Sequence, residues 1–235
     1  MANVLKKTGR ILQLGSQQRS ALNWRLACEL VRNGRLGEIR TVRTWVVPNE
    51  VEGPGPGWKP MPVPDSFDYD MWLGPAPEAP FHVERCFFRW RFNLDYCQGQ
   101  ASNYGAHTND IAQWAVGMDG TTPVEFEDTG SEWPPAGGLF TTATKTGFRA
   151  RYANGIELLC ETRKSAAVKF EGTGGSLEIT LGGTLNTFPE NLKDSVIGPD
   201  EIHLPRSNPD RQENVRDHID ADHVRNFLDA VKSRT

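Results

Sequence analysis

The stretch FTTATKTGFRARYANGIELLCETRKSAAVKFEGTGGSLEITL, residues 140–181, alternates apolar and polar side chains in runs separated by glycine-containing turns. Period two places successive side chains on opposite faces, so residues 140–152, 156–162, 167–171 and 176–181 read as strands. Asn154-Gly155 favours the positive φ values of a two-residue hairpin turn, which pairs the flanking strands antiparallel. Gly172-Thr173-Gly174-Gly175 marks a second turn, and residues 124–127 add an earlier strand. Together they describe an antiparallel meander, a sheet type whose solvated face often becomes a contact between copies.

Working outward, residues 39–47 are β-branched apart from Trp45 and a few polar positions, and read as a strand. Before them Leu22, Leu26, Leu30 and Val31 form the apolar stripe of a helix that Ser20 or Asn23 could cap and Asn33-Gly34 stops. Residues 10–15, RILQLG, alternate and read as a short strand. VEGPGPGWKPMPVP, residues 51–64, cannot form regular structure because proline and glycine alternate through it. It is either a surface connector or a loop framing a site. Residues 67–73 fit a single helical turn, and residues 199–214 are polar and irregular. Residues 217–233 read as an amphipathic helix with Ile219, Val224, Phe227, Leu228 and Val231 toward the core. Strands that pair antiparallel, with helices beside them, indicate an α+β class.

With 235 residues, 37% hydrophobic and 24% charged, the chain is long enough to bury a sizeable core. A net charge of -4 gives no electrostatic case for nucleic acid or an anionic membrane as partner. No apolar run has the length of a membrane span, and the opening MANVLKKTGR lacks a secretory apolar core. Cys28, Cys86, Cys97 and Cys160 are scattered without a C-x-x-C pair. That favours reduced, packed thiols and a cytoplasmic location over a disulfide framework.

The densest chemistry lies in YCQGQASNYGAHTNDIAQW, residues 96–114. Gly99, Ala101, Ser102 and Gly105 allow backbone and ligand to approach closely. A helix starting near Asn103 carries His107 and Asp110 three residues apart on one face, with Ile111 and Trp114 anchoring it. A small-residue loop that delivers Asn, His and Asp together suits a polar binding site. Asp110 is a ligand or partner of His107, or a salt-bridging residue. His107 and Asp110 are also weak candidates for a divalent metal, whose third ligand would come from His82, His203, His218 or His223. His218 and His223 are five apart and point about 140° from each other on a helix, which suits joint ligation poorly. Upstream, Arg85, Arg89, Trp90 and Arg91 in ERCFFRWRF could bind a sugar acid or phosphate through forked guanidinium groups and rings. The plainer reading is a strand with one aromatic and one charged face. Tyr96 and Tyr104 are candidates to line a pocket. No G-x-S-x-G elbow surrounds Ser16, Ser20 or Ser102.

The same motif resembles the substrate-domain signature GG-x-x-x-[DN]-x-G-x-H-x-x-D of the glucose–fructose oxidoreductase / inositol dehydrogenase (Gfo/Idh/MocA) family. GRILQLGSQQRS (9–20), ELVRNGRLGEIRTV (29–42), DYDMWLGPAPEAPF (68–81) and HVRNFLDAVKSR (223–234) extend the resemblance over nearly the whole chain. It implies an open, predominantly antiparallel sheet with helices packed on one face, like the C-terminal domain of dihydrodipicolinate reductase. Residues 1–20 would be a remnant of the nucleotide-binding domain, namely its last strand and exit, and residues 21–235 the substrate and oligomerisation domain. His107 would be the acid/base or substrate-binding histidine. Asn103 stands where many relatives have Asp, which weakens a general-base role there. Arg89, Arg91, Tyr96 and Tyr104 would contact substrate.

Relatives open with a Gly-rich dinucleotide-binding turn and carry a Glu-Lys-Pro segment. Neither occurs in this sequence. No NAD or NADP is therefore expected to bind this chain alone, although full-length relatives use one. The expected ligand is a sugar or polyol, with a homo-oligomer formed through the sheet face. The rival expectations are a cofactor-independent, metal-assisted hydrolase or lyase reusing the His107 pocket, and a non-catalytic binding or dimerisation module. An N-terminal strand without its neighbours is expected to be disordered, to repack, or to pair with another copy.

Overall fold

The computed structural model describes residues 1–210 and 219–234. In chain order these form α1 (Ala2–Thr8), α2 (Leu22–Arg32), β1 (Ile39–Val46), α3 (Tyr69–Leu73), α4 (Gln100–Asn103) and α5 (Gly105–Ala115). There follow β2 (Glu125–Asp128), β3 (Gly147–Arg151), β4 (Glu157–Thr162), β5 (Ala167–Gly172), β6 (Gly175–Thr180), β7 (Leu185–Phe188) and α6 (Ile219–Ser233). The architecture is α+β, with a seven-stranded open sheet in the order β2-β3-β4-β1-β5-β6-β7. The pairs β2–β3, β3–β4 and β6–β7 are antiparallel. No helix among the described residues is long and apolar enough to cross a membrane.

The hairpin at Asn154-Gly155 forms, with a correction to its length. Tyr152 N–H donates to Ile156 O at 2.9 Å and Gly155 N–H to Tyr152 O at 2.9 Å. The loop therefore spans three residues, and Gly155 supplies the left-handed position at φ 89. The long strand expected over 140–152 is realised only as β3. Residues 141 and 142 instead donate their backbone N–H groups to Phe92 O at 2.9 and 3.2 Å, and Leu139 N–H donates to Pro54 O at 2.9 Å. Their ladder groups are consumed by loops, so no strand can run there. β7 is an addition: its four residues are too few and too mixed for period two to be read.

Contacts divide the chain into two compact units. The first comprises Met1–Val42, Asn109–Thr122 and the described residues from Val168 on. Within it α2 buries Trp24, Ala27, Cys28, Leu30 and Val31, as its apolar stripe predicts, and Gly34 ends it at φ 71. Neither predicted cap serves. Ala21 occupies the N-cap, while Ser20 Oγ meets His223 Nδ1 at 3.0 Å and Asn23 Nδ2 donates to Gly183 O at 2.9 Å.

Residues 10–15 form no strand, since no neighbouring strand offers them a ladder. They repack on α6, where Leu14 O lies 3.0 Å from His223 Nε2 and Gln13 Nε2 donates to Asn226 Oδ1 at 3.0 Å. Preceding them, α1 appears where no helix was expected. These contacts also explain a second correction. Val224 and Leu228, expected in the core, are 55% and 47% exposed, and Asp222 is the buried residue of α6. The inward stripe is rotated toward Asp222 and His223 because polar tethers decide which side faces in. Asp217, His218 and the side chain of Ile219 lie outside the described residues.

Arg35 grips Glu201 through two bonds of 2.7 Å, and Gly198 N–H adds a third at 2.6 Å. The Arg35 hydrogen bonds, then that of Gly198, hold the Glu201 carboxyl down at about 2, against 4.5 ordinarily. Because the folded value is the lower one, this tie stabilises the fold above pH 4.5 and is lost as pH falls through about 2. Thermal midpoints of wild type should therefore fall more steeply across that window than those of Glu201→Gln. Equal slopes would show that the tie carries no acid sensitivity.

The second unit comprises Arg43–Thr108 and Pro123–Ala167. Phe92, Leu139 and Phe140 form a buried cluster with Val51 and Trp58 packed against it, and the rings of Phe92 and Phe140 are 5.1 Å apart. Residues 83–92 depart from the predicted strand. Arg85 N–H donates to His82 O, Arg89 N–H to Cys86 O and Asn93 N–H to Trp90 O, all three residues apart. The segment is thus two 3-10 turns, Val83–Arg85 and Phe87–Phe92. Such tight turns satisfy the backbone locally and need no strand partner.

Candidate functional site

Of the side chains nominated for catalysis or substrate contact, Arg89, Arg91, Tyr96, Asn103, Tyr104 and His107 lie in the second unit and Asp110 in the first. The segment that carries them is built on Gly99, at φ 63 and ψ -143, a conformation reserved for glycine. Its N–H donates to Arg91 O at 3.0 Å, and its carbonyl accepts the N–H of Asn103 at 3.0 Å. This joins the 3-10 turns to α4. Ser102 Oγ accepts from Gln98 N–H at 3.1 Å and lies 2.9 Å from Cys97 Sγ, so the turn is tied from within. After Tyr104 the chain continues as α5.

Asn103 is held in place. Its Nδ2 donates to Gln100 Oε1 at 3.0 Å, and Gln100 Nε2, buried, donates to Pro48 O at 3.2 Å. The amide is thereby oriented, and among the described residues its Oδ1 has no hydrogen-bond partner. His107 follows four residues later on α5, half-buried, and Tyr104 stands half-buried at the junction of the two helices. Asn103, Tyr104 and His107 are therefore grouped within five consecutive residues on elements that a single turn positions.

Asp110 is directed elsewhere. Arg19 Nε donates to its Oδ2 at 2.8 Å and Nη2 to its Oδ1 at 2.6 Å. The same guanidinium bonds Asp119 through Nη1 and Nη2 at 2.9 Å each and lies 5.1 Å from the Trp114 ring. Burial lowers the affinity of Arg19 for its proton, and the two carboxylates more than reverse this, so its pKa is raised. Asp110 is thus the salt-bridging residue of the two sequence readings. With both oxygens engaged it ties the Asn109–Ala115 part of α5 to Arg19 within the first unit. Nothing in the sequence marks Arg19, which lies 91 residues away from Asp110.

Arg89 and Arg91 are engaged by their own turns. Glu84 takes Arg89 in an ion pair. Arg91 donates to Phe88 O and lies 3.5 Å from the Phe88 ring. Tyr96 packs its ring 4.9 Å from Trp72, its hydroxyl is buried without a partner, and desolvation raises its pKa. Residues 48–55 line an open cleft of about 600 Å³ with Trp133, Phe140 and Lys145.

Among the described residues no three His, Cys, Asp or Glu side chains gather as a metal ion requires. Of the proposed third ligands, His82 Nδ1 accepts from Glu84 N–H at 3.0 Å, His203 meets Gly198 O at 2.9 Å, and His223 is tied to Ser20 and Leu14. His218 lies outside the described residues.

Against known proteins, the model "Oxidoreductase family, C-terminal alpha/beta domain" (GFO_IDH_MocA_C2) matches residues 55–234. No curated protein matches the chain. Among solved structures it is similar to levoglucosan dehydrogenase in complex with NADH, at 16% identity and a TM-score of 0.61, covering 100% of this chain and 60% of that one. It is similar also to aldose-aldose oxidoreductase from Caulobacter crescentus complexed with glycerol, at 17% identity and a TM-score of 0.57, covering 99% and 57%. An oxidoreductase from Thermotoga maritima follows at 12% identity and a TM-score of 0.52, covering 98% and 54%. The chain spans less than two thirds of each of these structures, and likeness at such identities speaks of fold. The match over most of the chain, on an open antiparallel α+β sheet that agrees with it, shows that the protein belongs to the Gfo/Idh/MocA oxidoreductase family and carries its C-terminal alpha/beta domain.

Proposed function

We propose that this domain binds a sugar or polyol at the Asn103–Tyr104–His107 group, as the substrate half of an oxidoreductase reaction. The observation that supports this most is the relay from Asn103 through Gln100 to Pro48 O. It orients an amide while leaving its carbonyl oxygen for a donor from outside, and a hydroxyl is such a donor. His107 then suits the proton that leaves or joins that hydroxyl, because imidazole both gives and takes protons near neutral pH. Asn103 orients without taking the proton, since an amide cannot act as a base there.

Hydride transfer would be the chemistry of a nicotinamide cofactor. The residues described do not fit one. A pyrophosphate needs a Gly-rich turn opening a full helix, whereas Gly99 opens only the four-residue α4, and α6 begins with Asp220 and Asp222 in its first turn. No step is therefore assigned to NAD or NADP on this chain. Calorimetric titration of the purified chain with NADH and NADPH should show no micromolar binding. Micromolar affinity for either would overturn this part of the reading. Titration with aldoses and cyclitols should show a ligand whose affinity drops about tenfold or more in His107→Ala and in Asn103→Ala. A ligand bound equally by both variants would place the site elsewhere.

A further inference from the structure

Arg85 is the arginine of ERCFFRWRF that its surroundings leave unused. It is 7% exposed, its Nε has no hydrogen-bond partner, and it forms no ion pair among the described residues. The adjacent acid, Glu84, is taken by Arg89. What lies beside the guanidinium is aromatic: the Trp58 ring at 5.8 Å, itself met edge-on by His82 at 5.8 Å. A charge removed from water is tolerated when an opposite charge or hydrogen bonds compensate it. Among the described residues neither is supplied to Arg85 Nε.

Other unfilled polar atoms belong to the same unit and the same stretch of chain. Among the described residues Tyr96 Oη is buried without a partner, as are both side-chain polar atoms of Asn93, which is 1% exposed. Tyr96 closes a stack in which Trp72 lies 4.9 Å from it and 5.8 Å from Tyr69. Burial raises the pKa of both phenols while the nearby charge of Arg85 pulls it back, which places Arg85 within electrostatic reach of each. Both phenols keep their protons near neutral pH, and the Tyr96 hydroxyl remains a donor. Tyr69 and Phe81 also line an open cleft of about 550 Å³.

We propose that Arg85, together with the Tyr96 hydroxyl, binds the carboxylate of an acidic sugar. A guanidinium fork and a phenol donor match the oxygens of one carboxylate, and the Trp72–Tyr96 rings suit the apolar face of a sugar ring. The charge count selects this anion. One buried guanidinium balances a single negative charge; Arg89 is paired with Glu84 and Arg91 is turned to Phe88 O and its ring, so a phosphate dianion would lack a second buried cation beside Arg85. The sugar part of this ligand rests on the reading given under Proposed function; the carboxylate part does not.

Calorimetric titration of the whole chain with glucuronate, glucose, glucose 6-phosphate and acetate tests it. Glucuronate should bind at least about tenfold more tightly than glucose, and Arg85→Gln should remove that preference while leaving glucose affinity unchanged. Arg85→Lys and Tyr96→Phe should each weaken glucuronate binding, and they decide the matter if Arg85→Gln does not fold. Glucuronate no tighter than glucose, or a preference that survives in these variants, overturns the proposal. Tighter binding of glucose 6-phosphate would assign the site to phosphate and overturn the carboxylate claim. Acetate binding that depends on Arg85, with no binding of glucose, would sustain the anion site and sink the neutral-sugar reading at His107.

Discussion

Replacing Glu29 by alanine is expected to cost about 3–5 kcal/mol of folding stability. The carboxylate is 3% exposed on α2 and stands beside Arg25, itself 7% exposed. Arg25 Nη1 donates to Glu29 Oε1 at 2.8 Å, and the same oxygen accepts the N–H of Leu204 at 2.8 Å. Alanine at position 29 would remove the carboxylate that Arg25 Nη1 bonds and leave the Leu204 N–H without this acceptor. The large figure comes from the buried groups that lose this partner rather than from the net worth of the pair. Glu29→Gln should cost less, because the amide oxygen still accepts. Urea denaturation at neutral pH measures both, and a Glu29→Ala loss below about 1 kcal/mol would show that the pair is not desolvated as described.

Gly99→Ala is expected to cost about 2–5 kcal/mol and to abolish sugar binding in whatever protein remains folded. Two effects add. The backbone at φ 63 and ψ -143 lies where a side chain costs about 1–3 kcal/mol. A Cβ there would also stand 2.7 Å from Thr142 Oγ1 and 2.9 Å from Thr142 Cβ, a clash in a packed interior that costs about 1–3 kcal/mol more. Relief requires α4 to move, and with it Gln100, Asn103 and the start of α5. Thr142→Ala removes the Oγ1 that would stand 2.7 Å away. In the Gly99→Ala background it should restore part of the stability but not the backbone share. Midpoints from denaturation, paired with the sugar titration, check both statements. Gly99→Ala with wild-type stability would mean the turn can relax without strain.

Gly99 also shows where sequence reading stops. A small residue beside a histidine suggests room for a ligand, yet what approaches Gly99 is Thr142, more than forty residues later. Asp110 teaches the same lesson. Its spacing from His107 was legible, and so was a salt bridge as one of its roles, but Arg19 is distant in sequence and carries no local sign. Arg89 and Arg91 stood out as a basic cluster, and tight turns then engaged both and left Arg85, the member nearest no free acid. By contrast the hairpin, the α2 stripe, the turn at Asn33-Gly34 and the grouping of Asn103, Tyr104 and His107 were readable, because each depends on residues at most a few positions apart.

Backbone periodicity and turn chemistry are local, so the amino-acid order alone determined the antiparallel strands, the amphipathic α2, the choice of residues 10–15 between disorder, repacking and pairing with another copy, and the motif that marks the family. Which alternative residues 10–15 took was decided by tertiary structure, through the tethers to His223 and Asn226. Tertiary structure likewise turned α6 so that Asp222 is buried and Val224 exposed, and it spent Asp110 on Arg19 while leaving Arg85 without a counter-ion among the described residues. The physical reason is common to all of these. Periodicity says that a face will be covered or a charge compensated, whereas the partner that does so comes from remote chain and exists only once the backbone has closed.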